Sequence, residues 1–368
     1  MKEWLKQQYT KLCRYRLREQ SLQRQLCYLY SFPHNNNGWL DTFVEKASFP
    51  VYIAYTPAVA EEVKQFCMRH PKVTALPLRP GLTFFNQTLT VIGQSRWLLC
   101  DNYFPVLASL TNTEQRVGMI WHANGAIKQF GACDPKNNER SAQDVERLHA
   151  VYHRYTDYFI PSQAMGKVFE VSYLADDSKL RPTGFPRTDA LYQLDVKAIK
   201  EAFFNQYSQY RGKQLVLYAP TYREDQAASY PFDKEHVERA GNYAVICRYH
   251  PHSNQVSDLQ EVDYQTLLAV ADYCITDYSS LPFDYTLMHE TGHLIFYQYD
   301  REQYKARFGL EPLFLEYLPG PVAMTMEEVV AALNEPAQSY AVFNEKWNTY
   351  NHGQATENIL AFIEEDLA

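Results

Sequence analysis

The chain has 368 residues, 46% of them hydrophobic and 15% aromatic, with a formal net charge of −8. That is enough apolar material for two domains of ordinary size, and too acidic a balance for a protein whose main partner is nucleic acid. The charge is uneven: residues 1–32 hold seven Lys or Arg against two Glu, a net +5, which leaves −13 for the rest.

In chain order, Trp4, Leu5, Tyr9, Leu12, Tyr15, Leu22, Leu26 and Leu29 lie between basic residues, and the spacing predicts an amphipathic helical arm over 1–32. Such an arm packs on the body by its apolar stripe, meets an anionic membrane surface with its Lys and Arg, or does both. From residue 50 short apolar runs alternate with helical stretches, predicting strands at 50–55, 73–78, 97–100, 117–121 and 158–161 and helices at 58–70 and 162–174. A second series begins near 186, with strands at 215–219, 243–248, 273–276 and 294–297, and a last helix at 352–367 whose apolar side is Ile359, Leu360, Phe362 and Ile363.

This alternation predicts an α/β protein of two doubly wound, Rossmann-like domains facing a cleft, with ligands at the carboxyl ends of strands. The expected segments are the arm 1–32, an N-terminal domain 33–185, a C-terminal domain 186–345 and a closing helix 346–368. Seven cysteines, at 13, 27, 67, 100, 133, 247 and 274, form no Cys-x-x-Cys pair and read as reduced, buried thiols. No apolar run reaches the roughly 18 residues of a membrane span, and the N-terminus lacks a signal-peptide core. A cytoplasmic location is therefore expected unless a surface holds the chain.

Four polar clusters fall at the ends of predicted strands. An apolar run ends in Asp277 and passes into Ser279 and Ser280, which open a helix. Its first N–H groups and the two hydroxyls suit an anion, although a plain serine N-cap explains the same residues. His122 follows the run 117–121, and a neutral imidazole there suits a general base. As a lone residue it is more often structural. Asn124 and Gly125 leave room for substrate or simply make a turn, and Lys128 either faces an acceptor diphosphate or is solvated. Arg248, His250 and His252 alternate and so share one face of a strand end. No third ligand completes a zinc site there, and donors to a diphosphate are the preferred reading. Arg187 and Arg223 each follow a proline turn and suit bidentate phosphate contacts. Asp277 and Asp284 bind substrate hydroxyls, orient neighbouring His and Arg, or cap a helix.

Trp121-His122, Gly184-Phe185-Pro186-Arg187-Thr188-Asp189, Tyr218-Ala219-Pro220-Thr221-Tyr222-Arg223, Thr276-Asp277-Tyr278-Ser279-Ser280 with Phe283-Asp284, and Phe296-Tyr297-Gln298-Tyr299-Asp300 occur in this order. Over roughly residues 115–325 the set resembles the CDP-glycerol glycerophosphotransferase family of wall teichoic acid synthesis. The segment from His122 to Gly131 resembles its primase branch, because the Gly and Pro-Leu-Lys run that follows Trp-His in polymerase members is replaced by Ala123-Asn124-Gly125-Ala126-Ile127-Lys128.

The resemblance implies the glycosyltransferase-B architecture, with His122 as catalytic base and Arg187, Pro220 and Thr221 as donor contacts supported by Arg223. It also implies CDP-glycerol as donor, CMP as leaving group and an undecaprenyl-diphosphate-linked disaccharide as acceptor of one glycerol phosphate. The expected setting is the cytoplasmic face of an anionic membrane, without obligatory cofactor, metal site or nucleic acid. Divalent cation dependence and oligomeric state stay open, as do three alternatives: a teichoic acid polymerase, a nucleotide-sugar glycosyltransferase and a nucleotide-binding scaffold without turnover.

Overall fold

The computed structural model describes residues 2–18, 20–223, 230–250 and 253–368. The chain divides into two compact units, the first made of residues 1–124, 130–190 and 349–368 and the second of 125–129 and 191–348. The division is not that of contiguous segments: five residues after Asn124 belong to the second unit, and the final segment returns to the first.

The first unit is built on seven strands: β1 (Gln23–Tyr30), β2 (Val51–Tyr55), β3 (Thr74–Pro77), β4 (Ser95–Cys100), β5 (Arg116–Met119), β6 (Asp157–Phe159) and β7 (Leu180–Arg181). They run in the order β3-β2-β1-β4-β5-β6-β7, and every neighbouring pair is parallel. The order reverses between β1 and β4, so the carboxyl ends of these strands are the topological switch point at which such sheets take ligands.

β1 corrects the expectation of a helical arm over 1–32. Only Lys2–Leu17 is helical, and Gln23–Tyr30 is a central strand, buried from Gln25 onward. A strand covered on both faces reads as an unbroken apolar run, so Leu26 and Leu29 fit helical spacing without being helical. The helix docks through buried Cys13 and Leu17, through Arg16 Nε donating to the Phe85 carbonyl, and through an ion pair between Lys6 and Asp144. Trp4, Leu5, Leu12 and Tyr15 stay exposed on it. No helix among the described residues is long and apolar enough to cross a membrane. All seven cysteines are free and five are buried, and burial pushes the thiols of Cys27 and Cys274 up to about 12.

The helix Ala355–Leu367 completes the core of the first unit, placing Ile359, Leu360, Ile363 and Leu367 among Leu26, Tyr28 and Trp97. Phe362, expected on the same side, is only half-buried and meets the rings of Trp97 and Phe159 edge-on. The segment Gly184–Asp189 clasps the start of this returning chain. Gly184 has φ +85°, and a Cβ there would lie 2.6 Å from the Tyr350 carbonyl oxygen, so only glycine fits. The Phe185 N–H donates to Asn351 Oδ1. The Asp189 carboxylate accepts from the Ala355 N–H, the Thr356 N–H and the Thr356 hydroxyl, meeting donors that the first helical turn leaves unpaired.

The second unit holds β8 (Gln214–Tyr218), β9 (Tyr243–Cys247), β10 (Tyr273–Thr276), β11 (Thr291–Tyr297), β12 (Val322–Ala323) and β13 (Gln338–Ser339). Its sheet is parallel in the order β12-β11-β10-β8-β9, with β13 antiparallel to β11. Here the switch point lies between β8 and β10, the strands that lead into Pro220-Thr221 and Asp277-Ser279.

Replacing Asp189 with Ala removes three buried hydrogen bonds at a helix start and is expected to cost about 1–2 kcal/mol. Thermal unfolding of Asp189→Ala should show a fall of a few degrees. An unchanged midpoint would mean that the clasp is not needed to seat the last helix.

Candidate active site

His122 lies three residues past β5, in the first unit. The residue before it, Trp121, has φ +58°, a left-handed conformation that a bulky side chain adopts at a cost of order 1–3 kcal/mol. The surroundings hold it there: the Trp121 ring packs on Phe130, Phe169 and Tyr173, and its carbonyl accepts from the buried Asn35 Nδ2 at 3.0 Å.

His122 Nδ1 lies 2.9 Å from the Asp101 backbone oxygen. A carbonyl only accepts, so Nδ1 carries the hydrogen, and a neutral ring in this tautomer has its lone pair on Nε2. The imidazole is also stacked on Phe32, with ring centroids 4.2 Å apart and 16° between planes. Asp101 itself is fully buried, and its carboxylate accepts from the Ser31 N–H, the Phe32 N–H and the Ser31 hydroxyl, each at 2.9 Å. Burial pushes this carboxyl up to about 6, against the pull of those hydrogen bonds. One residue thus fixes both the proton on His122 and the turn that covers its ring. Neither Phe32 nor Asp101 was singled out from sequence. Trp97-Leu98-Leu99-Cys100-Asp101 is nonetheless an apolar run ending in Asp, the same signal that marks Asp277.

The loop after His122 divides between the units. Asn124 is buried in the first, where its Oδ1 accepts from Asn351 Nδ2 at 2.9 Å. Gly125 and Lys128 belong to the second. A Cβ on Gly125 would lie 2.2 Å from the Phe283 ring, so glycine is required there by packing. Lys128 is exposed, with Nζ 6.0 Å from the Tyr304 ring centre. Of the three residues expected to contact the acceptor, Asn124 is buried and Gly125 tightly packed, so both also serve the fold at their own positions. Arg187, expected as a donor contact, belongs to the first unit, where its carbonyl accepts from Asn37 Nδ2. The clasp around Asp189 holds its segment there.

In the second unit Asp277 directly follows β10. Its Oδ1 accepts from the Thr221 N–H at 2.8 Å and from the Tyr278 N–H, while Oδ2 pairs with Arg223 Nη2 at 2.8 Å. Arg223 also pairs with Asp300 and donates to the Thr221 carbonyl, with its guanidinium among the rings of Tyr278, Tyr299 and Tyr304. Burial works against the guanidinium charge, but the carboxylates of Asp277 and Asp300 outweigh it and hold Arg223 protonated. Arg223 is 8% exposed and Asp277 1%. Arg223 was expected to support the donor contacts, and Asp277 to bind substrate hydroxyls, orient neighbouring His and Arg or cap a helix. The structure joins the two to each other, so Asp277 orients an arginine, because a buried charge needs a partner. What they position is the Pro220-Thr221 loop across the switch point.

Around that pair, Pro220 is buried and Thr221 half-buried. Ser279 Oγ accepts from the Leu281 N–H at 3.4 Å, and Ser280 stands at the helix start without capping it, so the plain N-cap reading of Ser280 does not hold. Asp284 is half-buried in the first turn of that helix. Arg248 does not point wholly outward: its Nη1 donates to the Leu259 and Val262 carbonyls at 2.6 and 2.8 Å. His250 is exposed, 5.2 Å from the Tyr222 ring. His252 lies outside the described residues. No group of three His, Cys, Asp or Glu able to hold a metal occurs among the described residues.

Arg223→Ala would strand the buried Asp277 carboxylate and the half-buried Asp300 carboxylate and is expected to destabilise the second unit by about 3–5 kcal/mol. Denaturant unfolding checks this. Undiminished stability with lost donor affinity would return Arg223 to the role of a direct donor contact.

With this geometry in view, comparison with known proteins gives a consistent picture. The chain is 29% identical over 355 residues to the teichoic acid glycerol-phosphate primase of Bacillus subtilis (strain 168), covering 91% of this chain and 90% of that protein. It is 28% identical over 287 residues to the primase of the same name from Staphylococcus aureus (strain NCTC 8325 / PS 47), covering 76% and 77%. Among solved structures, the wall teichoic acid polymerase TagF aligns with a TM-score of 0.69 at 16% identity, covering 94% of this chain and 90% of that one, which supports the two-sheet glycosyltransferase-B fold. The profile of the CDP-glycerol:poly(glycerophosphate) glycerophosphotransferases matches residues 83–365, and the chain belongs to that family of transferases.

Proposed function

We propose that the protein transfers one glycerol phosphate from CDP-glycerol to a sugar hydroxyl of N-acetylmannosaminyl-N-acetylglucosaminyl-diphosphoundecaprenol, releasing CMP. The observation that carries this reading is the hydrogen bond from His122 Nδ1 to the Asp101 carbonyl, which presents Nε2 as the basic atom. Nε2 takes the proton of the acceptor hydroxyl, and its oxygen bonds to the phosphorus that bears glycerol. The bond from that phosphorus to the CMP oxygen breaks, and CMP leaves with the electron pair. On the donor side, Thr221, Arg248, His250 and the Ser279-Ser280 helix start hold the diphosphate. Most of the acceleration then comes from positioning and from charge arranged in advance.

Single addition is supported by the primase-like segment His122–Lys128 and by the near full-length similarity to glycerol-phosphate primases. After one transfer the acceptor end is a flexible glycerol beside a phosphate charge, which a site shaped for a sugar ring receives poorly. One assay tests both parts, following CMP release and the mass of the lipid product with excess CDP-glycerol. A single glycerol phosphate per lipid is expected, and His122→Ala should lower turnover by about two to four orders of magnitude with CDP-glycerol binding intact. Near wild-type turnover in that variant would remove His122 from the chemistry. A ladder of additions would assign a polymerase instead.

We also propose that the protein works as a peripheral enzyme at the cytoplasmic face of an anionic membrane, held partly by the helix Lys2–Leu17. Its exposed Trp4, Leu5, Leu12 and Tyr15 lie among basic residues, of which Lys11 and Arg18 are exposed. Cosedimentation with anionic vesicles should weaken in the double variant Lys11→Gln, Arg18→Gln, most of all at raised salt. Unchanged sedimentation would leave the helix a purely structural element.

A further inference from the structure

We propose that Phe32 and the turn that carries it form the subsite for the acceptor sugar, with the phenyl ring as an apolar platform beside the base. The inference rests on the function just proposed and adds a specificity-determining residue to it.

The turn follows β1 at the switch point of the first unit, and its backbone is fixed from within. Buried Asp101 accepts from Ser31 and Phe32, and buried Asn35 donates to the carbonyl of Trp121. Everything around Phe32 is thus anchored, yet the Phe32 side chain remains 41% exposed. A large apolar residue held rigidly at the surface contributes little to the core, and its rigidity costs a ligand no ordering entropy.

Its position restricts what can lie against it. A hydroxyl that gives its proton to His122 Nε2 must come within about 3 Å of that nitrogen. The Phe32 ring centre is 4.2 Å from that of the imidazole. The two rings are within 16° of parallel, so a pyranose that meets Nε2 in the plane of the imidazole lies in the same layer and faces the part of the phenyl ring that the imidazole leaves uncovered. The chemistry is complementary, because a pyranose presents a face of C–H bonds with slight positive charge to the negative face of an aromatic ring. An acyclic glycerol phosphate has no such face and brings an anion to an apolar surface. Phe32 therefore favours the sugar end over the product of the first transfer, a discrimination of the kind that limits addition to one unit.

The test is titration of a water-soluble acceptor analogue, the acetamido-sugar disaccharide on a short alkyl diphosphate, against the wild type, Phe32→Leu and Phe32→Trp. Affinity should fall about three- to tenfold in Phe32→Leu, the scale of one aromatic contact, and be kept in Phe32→Trp. CDP-glycerol affinity should be the same in all three. The proposal is overturned if Phe32→Leu binds the analogue as tightly as wild type, if it loses CDP-glycerol affinity to the same extent, or if the wild type does not bind the analogue. Failure of the proposed function is seen separately, as an absence of CMP release from CDP-glycerol by the wild type.

Discussion

The hydrogen bond between His122 Nδ1 and the carbonyl of Asp101 is the constraint on which the proposed chemistry rests. Without it the imidazole has two tautomers of similar energy and a free choice of orientation; with it, the basic nitrogen is Nε2 and the ring plane is set. The protein gives up stability to make it. Trp121 is held at positive φ, and the Asp101 carboxyl sits in a place that pushes its titration up to about 6. These local costs are borne by the aromatic packing around Trp121 and by the hydrogen bonds of the Ser31–Asn35 turn.

The two units solve the same problem in the same way. In each, a parallel sheet reverses its order between two adjacent strands, and the second of these ends in a buried aspartate. Asp101, after β4, accepts backbone N–H groups of the loop after β1. Asp277, after β10, accepts the backbone N–H of Thr221 in the loop after β8. A carboxylate across the switch point ties together two loops that otherwise diverge there, and it leaves side chains of those loops to face a ligand. The partners differ with the task. Asp101 is held by the backbone and hydroxyl donors of the Ser31-Phe32 turn, whereas Asp277 is paired with Arg223 and fixes the Pro220-Thr221 loop.

The parallel strands were legible because their apolar runs are bounded by turns and separated by helical stretches, and residues 273–276 were placed without error. β1 was not, since Leu22, Leu26 and Leu29 fit helical spacing and only a strand buried on both faces resolves the ambiguity. The position of His122 just past a strand end was legible from the apolar run before it. What sequence left hidden was which polar residues look inward. Arg223 has the chemistry of a phosphate contact and Asp277 that of a hydroxyl contact, yet they satisfy each other in the interior. Asp189 lies in a motif that resembles a donor contact, and it caps the last helix. Such pairings join residues 54 to 167 positions apart, and no local pattern encodes them. The same holds for Phe32, whose significance comes only from its distance to His122.

The central claim is most directly tested by nitrogen-15 NMR of the histidine side chains at neutral pH, with the His122 signals assigned by comparison with His122→Gln. The account predicts that Nδ1 is protonated and hydrogen-bonded and that Nε2 has the shift of an unprotonated imidazole nitrogen. A His122 ring found protonated on Nε2 and bare on Nδ1 would contradict it, because the base would then face the Asp101 carbonyl instead of the acceptor.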